Sequence, residues 1–195
     1  MRSHPVHLHV ERTRQPRRIH VVLRLVLLVA IGTVGVGALY WMLYLALPAL
    51  VALAILHRGE GRYLAEDAPR VARILRWVAG AYAYLWLLTD VPPTAEPGPV
   101  ELHVEPGGAP TPTSALLRLV YSLPALVLVA VLSIVGSLGW AVGAVWILLF
   151  ERLPGFIGDF LALTLRTELR LLAYHLSLVD AYPSLADDTV AHAAT

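Results

Sequence analysis

The chain has 195 residues, 57% of them hydrophobic and only 15% charged, with a formal net charge of +1 and no cysteine. A soluble domain usually carries about 45–50% apolar and about 25% charged residues, so this balance argues against one and for a protein embedded in lipid. Disulfide and thiolate chemistry are excluded, and the small net charge hides segregation: all fifteen basic residues are Arg, six of them in Met1–Arg24 and none in Thr89–Leu117.

The first predicted element is a strand. In "PVHLHVE" (Pro5–Glu11), Val6, Leu8 and Val10 alternate with His7, His9 and Glu11, the period-two pattern of a strand with one buried face. After a basic leader, Leu25–Leu56 runs 32 residues without Asp, Glu, Arg or His; about 18 are enough to suggest a membrane segment. The run is too long for the core of a cleavable signal, about 7–15 residues, and it has no small-residue cleavage site, so it reads as retained. Pro69–Thr89 then reads as a helix, with Glu66, Arg70 and Arg73 polar in its early turns and Trp77, Tyr82, Tyr84 and Trp86 further on. It stops at Asp90-x-x-Pro93.

The same order then returns. "PVELHVE" (Pro99–Glu105) repeats the strand at an offset of 94, and Leu116–Val120 matches Val22–Val26 at that offset. A second apolar run, Leu119–Phe150, is again 32 residues long. Past it the offset becomes 90, pairing Arg76 with Arg166, Tyr84 with Tyr174, Asp90 with Asp180 and Pro93 with Pro183. A four-residue deletion inside the second run accounts for the change. Each unit reads as strand, apolar run, helix and Asp-x-x-Pro stop. Two isolated strands of this kind are unstable alone, and pairing with each other is the simplest remedy. "EPGGAPTPT" (Glu105–Thr113) reads as an exposed irregular linker, and the tail after Ser184 as short and acidic.

A 32-residue helix would be about 48 Å long against a hydrocarbon core of about 30 Å. Both flanks of the first run are Arg-rich, with Arg58, Arg62, Arg70, Arg73 and Arg76 following it. The positive-inside rule keeps both flanks cytoplasmic and requires an even number of crossings. A transmembrane helical hairpin per unit follows, bending near Gly32, Gly35 and Gly37 or near Gly136 and Gly139, with Pro48 and Pro124 as other break points. The alternative is one long tilted helix per unit. The helix after each run either lies in the interface, its Arg residues meeting lipid phosphates or acidic partners, or packs on its own bundle. On the second, Asp159, Arg166, Arg170, Tyr174 and Ser177 share a stripe.

Candidate contacts to lipid or partners are therefore Arg24, Arg118, Arg70, Arg73, Arg76, Arg166 and Arg170. Arg24 and Arg118 enter the runs from the edge and would snorkel to phosphate. Tyr84, Asp90, Pro93, Tyr174, Asp180 and Pro183 read as structural repeat positions, the two Asp residues capping turns or pairing with Arg at the boundary. His7, His9, His103 and Glu101 could approach a metal-ligand set, but a solvated strand face is the plainer reading, and no metal or cofactor is expected. Gly139-x3-Gly143 suits close helix packing. No phosphate-binding loop, nucleophile elbow or metalloprotease motif is present, and the basic leader speaks for anionic lipid rather than nucleic acid.

"RLVYSLPALVLV" followed by "RLPGFIGDFLALTLRTELRLLAYHLSLVDAYPSL" resembles the DUF4389 family of bacterial membrane proteins, and "AYAYLWLLTDVPP" resembles the family's ending. The first unit departs from the pattern, with Val91-Pro92-Pro93 in place of a Tyr-Pro pair. The resemblance implies a tandem architecture and no particular activity: a first copy at 1–93, a linker at 94–98, a second copy at 99–184 and a tail at 185–195. The expected protein is mainly α-helical and multi-pass in the bacterial inner membrane, with a cytoplasmic N-terminus. Its expected role is non-enzymatic, as a scaffold or accessory subunit or an organiser of lipid. A transporter or channel subunit and an interfacial lipid-processing enzyme are the alternatives. Because the chain has no native cysteine, Thr113→Cys offers a clean topology probe. Labelling from the cytoplasmic side is expected, and labelling only from outside would invert the second unit.

Overall fold

The two predicted strands pair with each other. β1 (Val6–Val10) and β2 (Val100–Val104) form an antiparallel sheet with Leu8 opposite Leu102. These two positions are related by the offset of 94, so the ladder is symmetric about them. It extends equally on both sides: Glu11 N–H donates to Pro99 O and Glu105 N–H to Pro5 O, each at 3.0 Å. Val6, Leu8, Val100 and Leu102 are buried, whereas His9, Glu101 and His103 are exposed. A two-stranded sheet is marginal by itself; this one is covered on its apolar side by helices.

The computed structural model describes residues 4–33, 36–94 and 98–185. After β1 come α1 (Arg18–Thr33), α2 (Val36–Arg58), a single turn α3 (Glu60–Arg62), a wide π-helical turn (Tyr63–Asp67) and α4 (Ala68–Leu85). After β2 come α5 (Pro112–Tyr121), α6 (Leu123–Phe150) and α7 (Gly155–His175). The bend considered at Gly35 and the tail 186–195 lie outside the described residues.

α4 and α7 stop in the same way. Leu88 N–H donates to Ala83 O (3.0 Å) and Leu87 N–H to Tyr84 O (3.3 Å); Leu178 N–H donates to Ala173 O and Ser177 N–H to Tyr174 O, both at 3.0 Å. This is the Schellman closure, which satisfies the last carbonyls of a helix by turning one residue left-handed. The turning residues are Leu87 (φ 64°) and Ser177 (φ 51°), where a Cβ costs roughly 1–2 kcal/mol. The same helix ends are capped from across the molecule: Trp140 of α6 donates Nε1–H to Leu85 O (2.8 Å), and the Tyr63 hydroxyl donates to Leu176 O.

The second apolar run does not fold back where expected. α6 continues unbroken through Gly136 and Gly139, and the only irregularity is at Ser122, which keeps helical angles (φ −82°, ψ −6°) between α5 and α6. Pro124 accounts for the break, since its missing N–H is tolerated in a first turn. The glycines serve packing instead. Cβ positions built at Gly139 and Gly143 fall against Ile157, and at Gly143 also against Leu153 and Leu87. Ser122 meets His175 at the other end, so α6 and α7 run antiparallel in close contact.

α7 takes the packed placement rather than the interfacial one. Every residue from Thr167 to His175 is buried, and α7 touches α6, α4, α5, α2 and β1. α4 is two-faced, with Leu75, Ala79 and Ala83 buried but Arg70, Arg73, Ile74 and Trp77 exposed. A Cβ at Gly136 would lie 2.5 Å from Cζ3 of Trp86, whereas at Gly139 the nearest atom is 3.9 Å away. Gly136→Ala should therefore destabilise the fold by about 1–3 kcal/mol through overpacking, read as a lower thermal midpoint in detergent. Gly139→Ala, which gains helix propensity without a clash, should leave the midpoint level or raise it.

Candidate functional site

Two buried guanidinium groups organise the polar interior. Arg24, in the second turn of α1, is 0% exposed. Its Nη2 donates to Thr89 O (2.5 Å) and to Asp90 Oδ1 (2.8 Å), and its planar face lies 4.6 Å from the centroid of the Tyr84 ring. The other carboxylate oxygen of Asp90 accepts from Arg17 N–H (2.7 Å), where α1 begins. Asp90 thus pairs with a buried cation and supplies negative charge at a helix N-terminus, both favourable.

Arg118 of α5 repeats the arrangement. Its Nη1 donates to Tyr174 O (2.8 Å) and Val179 O (2.6 Å), its Nη2 pairs with Asp180, and its face lies 4.6 Å from the Tyr174 ring. The two clusters are related by offsets of 94 for Arg and 90 for Tyr and Asp. They differ in wetness, since the Asp90 side chain is 11% exposed and that of Asp180 is 55% exposed. Burial raises the phenol pKa of Tyr84 and of Tyr174, with the stacked Arg opposing in each case. The Tyr63 phenol is pushed up to about 12 by burial, helped by Asp67 and opposed by Arg118.

A third polar feature exists only beside the second cluster. His175 Nε2 lies 2.6 Å from the Ser122 hydroxyl, and its ring centroid is 4.9 Å from that of Tyr44 on α2. His175 and Ser122 are both 0% exposed. Burial first, and the charge of Arg118 second, push the imidazole down to about 4, so the ring is neutral at pH 7. The corresponding positions of the first unit are Leu85 and Leu28. An enclosed neutral imidazole bonded to a hydroxyl ties the end of α7 to the α5–α6 junction.

The other candidates scatter. Arg24 and Arg118, expected to reach lipid phosphate, are inside the protein, where backbone carbonyls and a carboxylate accept from them, although Nε and Nη1 of Arg24 find no acceptor among the described residues. Arg170 is buried as well, donating through Nη1 to Ser184 O (2.8 Å). Arg70 and Arg73 are exposed, Arg70 lying 3.9 Å from Asp67, and Arg76 is exposed with Nη2 at 3.5 Å from Leu102 O. Arg166 is partly buried beside β1. Pro93 packs near Gly80, and Pro183 is buried. His7 stands opposite His103 and His9 opposite Glu101 across the ladder, but among the described residues no group of three or more His, Cys, Asp or Glu could hold a metal. The carbonyls of Thr89 and Val179 gave no warning in the sequence, because backbone acceptors have no residue signature, and Ser122 and Tyr44 stand as polar side chains inside the apolar runs.

Residues 112–186 match the family model DUF4389, described as a domain of unknown function. The match runs from α5 past the α7 stop and holds one complete Arg118–Tyr174–Asp180 cluster. It is a single copy, and residues 1–93, expected to form another, lie outside it. No curated protein and no solved structure matches the chain.

Two outcomes follow. Asp90→Asn leaves a nearly dry guanidinium without its counter-charge and should cost roughly 2–3 kcal/mol of stability, whereas Asp180→Asn, at a wetter pair, should cost less than about 1 kcal/mol; thermal unfolding of the two variants in detergent measures the difference. The His175 imidazole is depressed in the folded state, so the unfolded chain binds the extra proton between its ordinary 6.5 and about 4. Stability is then fully present above pH 6.5 and falls by about 3 kcal/mol as pH drops towards 4. His175→Gln should flatten that slope in unfolding scans across this range.

Proposed function

We propose that this chain is an integral, multi-pass membrane protein of the bacterial inner membrane, built from two matched units, with a non-enzymatic role in holding a protein partner or lipid. The observation that carries this reading is α6. It is 28 residues long with mean hydropathy 2.4, yet only 17% of its apolar stretch is buried. A core helix of a soluble protein would be mostly buried, and a secretory signal would stand near the N-terminus; α6 is neither. Among the described residues it is the one helix long and apolar enough to cross a membrane. Exposed Val22, Val26 and Val29 on α1 and Leu45, Leu50 and Leu53 on α2 continue the same outward apolar surface, far beyond what a water-soluble monomer exposes.

Support for two units lies in the symmetric ladder, the twin Arg–Tyr–Asp clusters and the crossed caps from Trp140 and Tyr63. Support for a non-enzymatic role lies in how the polar groups are used. Both oxygens of Asp90 are engaged, and the Ser122–His175 pair has no exposed surface.

Alkaline carbonate extraction of membranes tests the first part: the protein should stay in the pellet, and release into the supernatant would overturn the membrane reading. Native mass spectrometry of the protein purified from its own host tests the second part. A stoichiometric protein partner or retained lipid is expected, and recovery as a bare chain would count against the role.

A further inference from the structure

We infer that the groove between β1 and the first half of α7 is a binding site for a phosphate-bearing anion, the headgroup of an anionic phospholipid or a soluble phosphate ester. The inference deepens the membrane reading above and rests on its two matched units for comparison. The groove encloses about 470 Å³. Its cationic lining comes from Arg12 and Arg14, just past the strand, and from Arg166 on α7, against the carboxylates of Glu11 and Asp159. Positive charge is therefore in excess by one. Leu8, Val10 and Ala162 give the groove an apolar wall, so a headgroup and the glycerol beneath it both find complementary chemistry.

Three features favour a ligand over a merely solvated basic patch. Arg12 is held at the groove by Asp159 at 2.6 Å, but that pair is open to water, with side chains 39% and 72% exposed. Such a pair is worth little, and the guanidinium can exchange a carboxylate for a phosphate, its preferred fork-shaped partner. Gly158 lets Arg12 lie directly across the first turns of α7, since a Cβ there would sit 3.2 Å from Nη1.

The third feature is asymmetry. Carrying the offsets of 94 and 90 to the other unit puts β2 and α4 in the place of β1 and α7. Arg76 stands where Arg166 does, but Pro106, Gly108 and Pro69 stand where Arg12, Arg14 and Asp159 do. The strand–helix packing thus forms without these charges. They serve something other than the architecture, and phosphate is the chemistry that guanidinium groups lining one groove recognise.

The test uses the full chain in a neutral detergent, titrated with phosphatidylglycerol, phosphatidylcholine or glycerol phosphate and followed by native mass spectrometry. Wild type should retain one phosphatidylglycerol or one glycerol phosphate in preference to phosphatidylcholine. The Arg12→Gln/Arg14→Gln variant should bind that anion about ten-fold more weakly or worse, while Arg76→Gln, in the other groove, should bind like wild type. Competition by glycerol phosphate against the lipid assigns a soluble source, and lipid binding that resists it assigns the headgroup. Equal binding by the double variant and wild type, or equal retention of phosphatidylcholine, would overturn the site. Because occupancy is read in detergent, a protein released by carbonate could still bind glycerol phosphate, and a membrane-retained protein could still fail to bind, so the two readings fail separately.

Discussion

A guanidinium group out of water needs acceptors, and Arg24 finds them at Thr89 and Asp90, 65 and 66 residues away in sequence. Removing a cation from water costs several kcal/mol even after relaxation. That cost is offset here by a carbonyl, a carboxylate and an aromatic face at once. The carbonyl of Thr89 is available because α4 ends in a left-handed turn at Leu87, and the carboxylate is fixed because its other oxygen holds the start of α1. One buried charge therefore dictates that the beginning of α1 and the end of α4 meet. The strained turn at Leu87 is tolerated because that meeting depends on it.

Arg118 imposes the same condition on α5 and α7, and the two clusters are stitched together rather than side by side. Trp140 caps the end of α4, Tyr63 caps the end of α7, and the strands pair about Leu8 and Leu102. Each unit supplies a donor that the other's helix end lacks, so neither unit is saturated alone. The two halves also differ. The His175–Ser122 pair is found only in the second half, and Arg12 and Arg14 of the β1 groove have no basic counterpart there.

The distribution of polar and apolar groups is inverted relative to a water-soluble domain. Arg24, Arg118, Arg170, His175 and Ser122 are inside, while α6 shows Val127, Val131, Ile134, Leu138 and Val142 outside. In water this would be costly on both counts. In a bilayer, apolar surface is at home in the solvent and polar groups are best paired internally; the ion pairs of Asp90 and Asp180 follow that rule, while Nε and Nη1 of Arg24 and Nδ1 of His175 have no partner among the described residues.

Much of the plan was legible beforehand. Alternation in Val6–Val10 and Val100–Val104 gave both strands within a residue of their ends, and their shared wording gave the pairing partner. The helices α4 and α7 followed from local patterns, but their ends did not: expected to run to Asp90 and Asp180, they stop at Leu85 and His175 in the left-handed turns at Leu87 and Ser177. What the sequence by itself determined is the order of elements, because propensity, alternation and apolar run length act over a few residues at a time. What only the tertiary structure decided is where the charges point. Arg24 and Arg118 were read as reaching outward, since a long cationic side chain at the edge of an apolar run ordinarily does. They turn inward because carbonyls freed by two distant left-handed turns are waiting for them, and α6 runs straight through its glycines because α7 and Trp86 fill the space beside them. Both facts depend on atoms brought together from opposite ends of the chain, which no local pattern encodes.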